Sequence, residues 1–311
     1  MKKKSILIIG SSGFFGNSII DYLKNNKSTN RKINKIILLS KSKKNVLSKI
    51  LKQNYKIKQI LGDISKIKQL PHADYIIYCA ISKNLSNDEK GVKNYIKLAK
   101  KFHRGSKVLY TSSGAIYGKQ SLNIKEFNEK HRTKPLNHKS VIRKKYAVTK
   151  YKNEKLFNSL NKENINVIIT RCFAFVGKNL PLNKNFVVGN LIKNILEKKK
   201  LVIKSDKNVL RSYMFADDLA HCLLKIIFSN KTNFNLYNIG SEDKIDIREL
   251  AYKLAKKYKL ETNIKKIKHK TNHDIYIPNI LRFRKEFNYN KKLDSYKAII
   301  KTIKIILQNG S

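Results

Sequence analysis

The sequence predicts an α/β fold: a doubly wound parallel sheet with helices on both faces, joined to a smaller C-terminal α/β lobe. Three observations carry this reading. Short apolar runs of strand length recur along the chain. Helical patterns stand between several of them. The chain has 311 residues, 41% of them apolar, which is enough to bury one large core and a lesser one. Strands that are apolar almost throughout belong to a parallel sheet buried on both faces.

The first strand is residues 5–9, Ser-Ile-Leu-Ile-Ile. Lysines ahead of an apolar run can also mark a secretory leader, but this run is too short and leads directly into glycines. Those glycines read Gly10-Ser11-Ser12-Gly13-Phe14-Phe15-Gly16, and a helical pattern opens behind them at Asn17, Ile19, Ile20 and Leu23. Strand, glycine turn and helix together form a dinucleotide-phosphate loop. Gly10 would permit the tight turn, Gly13 would let backbone approach a pyrophosphate, and Gly16 would let helix and strand pack closely. The helix N-terminus would offer free N–H groups to the phosphates. The spacing is G-x-x-G-x-x-G rather than the commoner G-x-G-x-x-G.

Further strands are expected at 36–39, 58–61, 75–80, 107–112 and 167–173, with helices at 89–102 and 145–160. Residues 183–185 and the region after them read as more irregular. Amphipathic helices return at 247–259 and 293–307. Asp217 and Asp218 read as an acidic pair at a helix N-terminus. No internal repeat or low-complexity linker is present.

Composition excludes several classes. Lys and Arg number 68 against 21 Asp and Glu, a formal charge of +47. The positive residues are mostly lysine, spread evenly and accompanied by many asparagines and isoleucines, as A+T-rich codons favour. A nucleic-acid groove would concentrate arginine and interleave aromatics, so no specific nucleic-acid partner is expected. Lysines interrupt every apolar stretch before it reaches the ~18 residues of a membrane span. Cys79, Cys172 and Cys222 are odd in number and far apart, which suits free thiols in a reducing cytoplasm and no metal site.

Tyr146 and Lys150 carry the chemistry. They stand four apart in Tyr-Ala-Val-Thr-Lys, so one turn of helix sets phenol and ammonium on one face. A fixed positive charge stabilises a phenolate, and such a tyrosine can exchange a proton with a sugar hydroxyl while hydride moves. An exposed Y-x-x-x-K pair is the plain alternative. The glycine loop and the segment Thr-Ser-Ser-Gly-Ala-Ile-Tyr-Gly at 111–118 argue against it.

With these motifs the chain resembles the extended short-chain dehydrogenase/reductases, in the NAD(P)-dependent nucleotide-sugar epimerase/dehydratase family. The resemblance runs nearly the whole length. It rests on residues 10–16, Leu61-Gly62-Asp63-Ile64, residues 111–118, Tyr146-x-x-x-Lys150, the segment Arg171 to Gly177, and Arg211-Ser-Tyr-Met-Phe-Ala-Asp-Asp218. It implies a Rossmann-type dinucleotide-binding domain over 1–174. A mainly substrate-binding lobe would cover 175–311, with some segments returning to the first domain.

By this resemblance Ser113 would hydrogen-bond the reacting sugar oxygen, with Ser112 as the rival. Tyr146 would be the acid/base, and Lys150 would bind the nicotinamide ribose. Cofactor contacts would fall on Gly10, Ser12, Gly13, Phe14, Phe15 and Gly16, and beyond the loop on Ser40, Lys41, Ala80, Tyr146 and Lys150. Asp63 and Ile64 would hold the adenine end. Substrate contacts would fall on Ser113, Asn185 and Arg211, the arginine pairing with the diphosphate as a guanidinium fork does. A homodimer is implied.

Two departures narrow the chemistry. Family members that dehydrate a hexose place Asp-Glu directly after the catalytic Ser or Thr, whereas this chain has Gly114 and Ala115. Neither can transfer a proton, which disfavours a 4,6-dehydratase and leaves an epimerase or 4-ketoreductase, with a surface-polysaccharide sugar as the product class. The family's usual Asn is Ala174 here, which removes one substrate contact. At the end of the second strand, Leu38-Leu39-Ser40-Lys41-Ser42-Lys43 holds no acid, so NADP is expected ahead of NAD. A lyase with relocated acid/base groups and a non-catalytic RNA-binding protein are the alternatives.

Overall fold

The computed structural model describes residues 4–26, 32–41, 45, 47–82, 84–182, 186–267, 273–290 and 292–309. The chain opens with β1 (Lys4–Ile9), α1 (Phe14–Asn25), β2 (Ile33–Ser40), α2 (Lys49–Asn54), β3 (Lys56–Leu61) and β4 (Tyr75–Tyr78). It continues through α3 (Leu85–Phe102), β5 (Lys107–Ser113), α4 (Val141–Ser159) and β6 (Asn166–Cys172). Then follow β7 (Phe175–Val176), α5 (Val187–Leu196), β8 (Leu201–Ile203), β9 (Asn208–Arg211), β10 (Met214–Phe215), α6 (Ala216–Ile227) and β11 (Leu236–Ile239). The last elements are β12 (Ile245–Asp246), α7 (Ile247–Tyr258), β13 (Thr262–Ile264), β14 (His273–Tyr276), α8 (Leu281–Phe287) and α9 (Ser295–Asn309).

The main sheet has seven strands in the order β11-β6-β5-β4-β1-β2-β3. The pairs between β1 and β2, β2 and β3, β1 and β4, β4 and β5, and β5 and β6 are all parallel. Ile6, Leu7, Ile8 and Ile9 are all buried, as are all four residues of β4 and all seven of β5, which is the double-sided burial expected of apolar runs in a covered parallel sheet. The winding reverses between β1 and β4, so the crevice beyond their C-terminal ends is the topological switch point where such sheets bind ligands.

Contacts divide the chain into two compact units. The first comprises Met1–Gly118, Thr133–Cys172 and Leu219–Tyr237. Its core includes Tyr78, Tyr95, Tyr110 and Phe157, the last two stacked with centroids 4.2 Å apart. Short polar caps begin its long helices: Asn84 accepts from the amide of Ser86 at α3, and Ser140 from that of Arg143 at α4.

The second unit comprises Lys119–Arg132, Phe173–Asp218 and Asn238–Ser311. Its core gathers Val188, Leu191, Ile192 and Ile195 of α5 with Leu250 and Leu254 of α7 and Ile299 and Ile303 of α9. The segment Lys119–Arg132 is held there by backbone. Phe127 donates its amide to Ile277 and accepts from that of Asn279, and the amide of Asn238 donates to Glu129 at 2.7 Å.

The region after residue 185, expected to be irregular, contains α5. Its apolar residues recur at helical spacing, but its cap is Phe186, which offers no side-chain bond. The polar signal that marks a helix start is therefore missing. Asp217 and Asp218 do lie in the first turn of a helix, α6. Among the described residues no helix is long and apolar enough to cross a membrane.

Candidate active site

The glycine loop turns directly off β1. Gly10 has φ +91°, and a Cβ there would stand 2.5 Å from the backbone nitrogen of Ala80, the residue beyond the end of β4. Both strand ends of the switch point therefore meet at this glycine. At Gly16 a Cβ would reach the carbonyl of Gly10 at 2.5 Å, so the helix can approach the turn only without a side chain.

Gly13 differs: it is exposed, and a Cβ there would find only the Gly10 carbonyl, at 3.3 Å. Gly13 caps α1 with no side-chain bond, so the first-turn amides of Phe14, Phe15 and Gly16 point out of the helix end. Open space above one glycine and the helix N-terminus behind it suit a pyrophosphate.

Asn45 escaped the sequence reading. It accepts from the Ser11 hydroxyl (2.7 Å), donates to the Ser11 carbonyl (2.8 Å) and to Asn17 (2.9 Å), and is buried. It thus braces the loop from the segment after β2. Asn17 also donates to the carbonyl of Ser12 at 2.9 Å. No local pattern marks a lone asparagine inside a lysine-rich loop.

Ser40 ends β2 and is buried; Lys41 follows it and pairs with Asp63 at 2.9 Å. Asp63 also accepts from the amide and hydroxyl of Ser65, at 3.0 and 2.8 Å. The Lys41 ammonium, with the Ser65 amide, holds the Asp63 carboxyl at about 2, below the usual carboxylate range. The next residue, Ile64, has its carbonyl fixed by Asn94 at 2.7 Å. Thus β2 ends without an acid of its own, while the following strand delivers one beside it. Residues 42–44, which include Ser42 and Lys43, lie outside the described residues.

Ser112 and Ser113 end β5 and, as neighbours on a strand, point to opposite faces. The Ser112 hydroxyl donates to Glu154 at 2.6 Å, and Glu154 also binds Arg171 through two bonds of 3.1 and 2.9 Å. Ser112 is therefore committed to a buried ion pair. Ser113 accepts only a 3.2 Å bond from the amide of Ala115, at the start of the 3-10 turn Gly114–Tyr117, and its hydroxyl proton remains available. Ser113 has no part in that ion pair.

Tyr146 and Lys150 stand one turn apart on α4, the tyrosine half-buried and the lysine buried. The Lys150 ammonium donates to the Thr111 carbonyl at 3.1 Å and lies 4.9 Å from the Tyr110 ring centre. Burial opposes its charge, but Tyr110, Tyr146 and Asp88 favour that charge more strongly, so its pKa lies above the usual lysine range. Burial pushes the Tyr110 phenol up to about 12. The Cys79 thiol donates to the Ile9 carbonyl, and burial pushes it up to about 12 as well. Neither is a competing acid/base or nucleophile near pH 7.

In the second unit, Arg211 ends β9 and bonds to the carbonyl of Asp274 and, at 2.8 Å, to its carboxylate. Asn185 lies outside the described residues. No group of three or more His, Cys, Asp or Glu side chains that could hold a metal ion occurs among the described residues.

The model of the family described as the NAD dependent epimerase/dehydratase family matches residues 6–240. The chain is 24% identical over 259 residues to UDP-glucuronic acid decarboxylase 3 of Arabidopsis thaliana, covering 79% of this chain and 72% of that one. It spans only 57% of decarboxylase 2 from the same plant. Among solved structures, a UDP-N-acetylglucosamine 4-epimerase from Methanobrevibacter ruminantium, in complex with UDP-N-acetylmuramic acid, superposes with a TM-score of 0.78 at 18% identity, covering 99% and 100% of the two chains. A dTDP-glucose 4,6-dehydratase from Streptomyces venezuelae, solved with NAD, gives 0.80 at 17% identity, covering 98% and 97%. At such identity the structures share a fold.

Proposed function

The chain belongs to the NAD dependent epimerase/dehydratase family, and from that premise we propose that it is a nucleotide-sugar epimerase or 4-ketoreductase with Tyr146 as its acid/base. The observation that carries this reading is the turn Gly114–Tyr117 directly after Ser113. Its first two residues, Gly114 and Ala115, have no proton to give, while Tyr146 and the charged Lys150 remain. Elimination needs a second acid/base pair at the sugar; hydride exchange at one ring carbon needs one proton carrier.

A bound nicotinamide supplies the hydride acceptor or donor. The glycine cradle and the amides at the start of α1 would hold its pyrophosphate, and Asp63 and Ile64 its adenine end. Lys150, charged and fixed at Thr111, would bind the ribose and stabilise the phenolate of Tyr146. Tyr146 then takes the hydroxyl proton as a sugar carbinol is oxidised and returns it as the ketone is reduced. Reduction from the opposite face gives an epimer. Ser113 would donate to the same sugar oxygen. Arg211 would meet the diphosphate by exchanging Asp274 for it, and Asn185 would complete the substrate contacts. A homodimer and a role in surface-polysaccharide synthesis accompany this reading through the family resemblance. NADP is the preferred cofactor, because β2 ends Ser40-Lys41 without its own acid; Lys41 would leave Asp63 to meet a 2′-phosphate. A second reading, decarboxylation of a nucleotide-linked uronic acid, is favoured by the plant relative's activity.

Incubating the protein with UDP-, GDP-, CDP- and dTDP-sugars, their 4-keto forms and UDP-glucuronate separates these readings. Net NADPH oxidation identifies a reductase, isomerisation without net redox an epimerase, and CO2 release a decarboxylase. Tyr146→Phe should lower turnover by about 10²–10⁴-fold while cofactor binding persists; undiminished turnover would remove the tyrosine from the mechanism. NADP should bind more tightly than NAD, and equal affinities would reject that preference.

A further inference from the structure

We propose that residues 134–145, the turn before α4 and the first turn of that helix, dock this protein on a bilayer surface bearing anionic phospholipids. Among the described residues the three most exposed large apolar ones are Ile142 at 79%, Leu136 at 66% and Val141 at 64%. All three fall within one seven-residue stretch of the chain. Single exposed apolar residues need no explanation on a protein surface, but a group of them marks a contact.

The stretch is held in place, so its exposure is not that of a loose end. Lys134 donates its amide to the Ile116 carbonyl at 2.9 Å, and His138 Nε2 lies 2.7 Å from the Ala115 carbonyl oxygen. Asn137 closes the turn with its amide on the Lys134 carbonyl, also at 2.9 Å. Ser140 then caps α4, and Val141 and Ile142 are the first two residues of the helix.

The same stretch carries Lys134, Lys139, Arg143, Lys144 and Lys145, all exposed, and no Asp or Glu occurs between residues 130 and 153. On α4, Lys144 and Lys145 follow Val141 at the spacing that shares a face, and Lys145 follows Ile142 likewise. Lysine stems lie along apolar groups while their ammoniums reach outward.

Aliphatic residues ringed by cations match a surface that is anionic on top and apolar beneath. A nucleic acid would be met by aromatic rings for stacking, and these residues are aliphatic. A second copy of this chain, meeting the patch about a two-fold axis, would set the same five cations against each other. Lysines elsewhere on the chain attract an anionic bilayer without orienting the molecule. The aliphatic residues supply an orientation, with the start of α4 against the lipid. This docking is independent of the reaction proposed above.

Co-sedimentation with vesicles of phosphatidylglycerol and phosphatidylcholine, against vesicles of phosphatidylcholine alone, reads the contact without turnover. Binding should favour the anionic vesicles and weaken as salt is raised. Leu136→Ser, Val141→Ser and Ile142→Ser combined keep every charge and should lower the partition about tenfold. Lys144→Gln with Lys145→Gln should lower it roughly tenfold. Lys256→Gln with Lys257→Gln, which removes two exposed cations of α7, should change it far less. Full binding by the serine variant, or equal losses in the two lysine pairs, overturns the proposal, because the attraction then belongs to the cationic surface at large.

The chain has no tryptophan, so Ile142→Trp supplies a single fluorescent reporter in the patch. Its emission should move to the blue on anionic vesicles and be quenched by lipids brominated in their acyl chains. Tyr252→Trp, at an exposed position of α7, should show neither effect. Unchanged Ile142→Trp emission in protein that sediments with vesicles overturns the docking. A dimer in sedimentation velocity that the serine variant dissolves gives the patch to a second copy and overturns it too. So does binding of single-stranded RNA that the serine variant weakens to the same degree.

Discussion

Glu154 and Lys150 stand one turn apart on α4, both almost wholly buried, and their surroundings differ in kind. Glu154 has a complete set of partners: two bonds from Arg171, one from Ser112, and Tyr117 stacked 4.8 Å from the Arg171 guanidinium. Around Lys150 the set is incomplete. The Tyr110 hydroxyl beside it and the Asn153 oxygen are buried without hydrogen-bond partners; farther off in the first unit, toward the C-terminal end of α3, so are the Tyr95 hydroxyl and His103 Nδ1. A fully bonded ion pair fastens the end of α4 to β5 and β6. The half-bonded interior leaves buried polar groups unpaired, and costs stability to do so.

The sharpest way to break the comparison is to remove Glu154. Glu154→Ala leaves Arg171 charged and buried, and should cost about 3–5 kcal/mol in urea unfolding. Ser112→Ala removes one bond to the same carboxylate and should cost roughly 1.5–3 kcal/mol. If either variant unfolds like the wild type, the cluster is not a fastening.

On the incomplete side, burial lowers the His103 imidazole to about 4, while in the unfolded chain it titrates near ~6.5. Between those values the unfolded state binds a proton that the folded state refuses, so stability falls as pH drops from about 6.5 toward about 4. Unfolding at pH 7 and pH 5 should differ by roughly 1–2 kcal/mol from this residue, and His103→Gln should abolish that part of the difference. An unchanged pH dependence in the variant would acquit the histidine.

Smallest and opposite in sign, Tyr110→Phe removes a buried hydroxyl without a partner and keeps the ring stacked on Phe157. It should be neutral or stabilising by up to about 1 kcal/mol. Destabilisation beyond that would show that the hydroxyl is bonded after all.

Much of the first unit was legible because its signals are local. Gly10, Gly13 and Gly16 sit where a turn, an open approach and a close packing contact require them. The apolar runs became β1 to β6 with ends shifted by a few residues, β4 stopping at Tyr78 rather than Ala80. The remaining features depend on partners distant in sequence. Ser112 is engaged by Glu154, 42 residues away in the chain, which no local pattern announces. Asn45 braces the glycine loop through bonds to Ser11 and Asn17 that no window brings together. The segment Lys119–Arg132 joins the second unit through Ile277 and Asn238, contacts that leave no trace in its own composition.

The strand order has a consequence for synthesis. β6 lies between β5 and β11, and β11 is made only from Leu236 onward. A ribosome adding about 5–20 residues per second leaves the outer edge of β6 open for several seconds after its last residue appears. That edge belongs to Val167, Ile168 and Ile169, all buried in the finished protein, and an open apolar edge invites pairing with another nascent chain. Fragments ending before residue 236 should therefore collect in inclusion bodies, and slowing translation beyond Cys172 should lower the soluble yield of the whole chain.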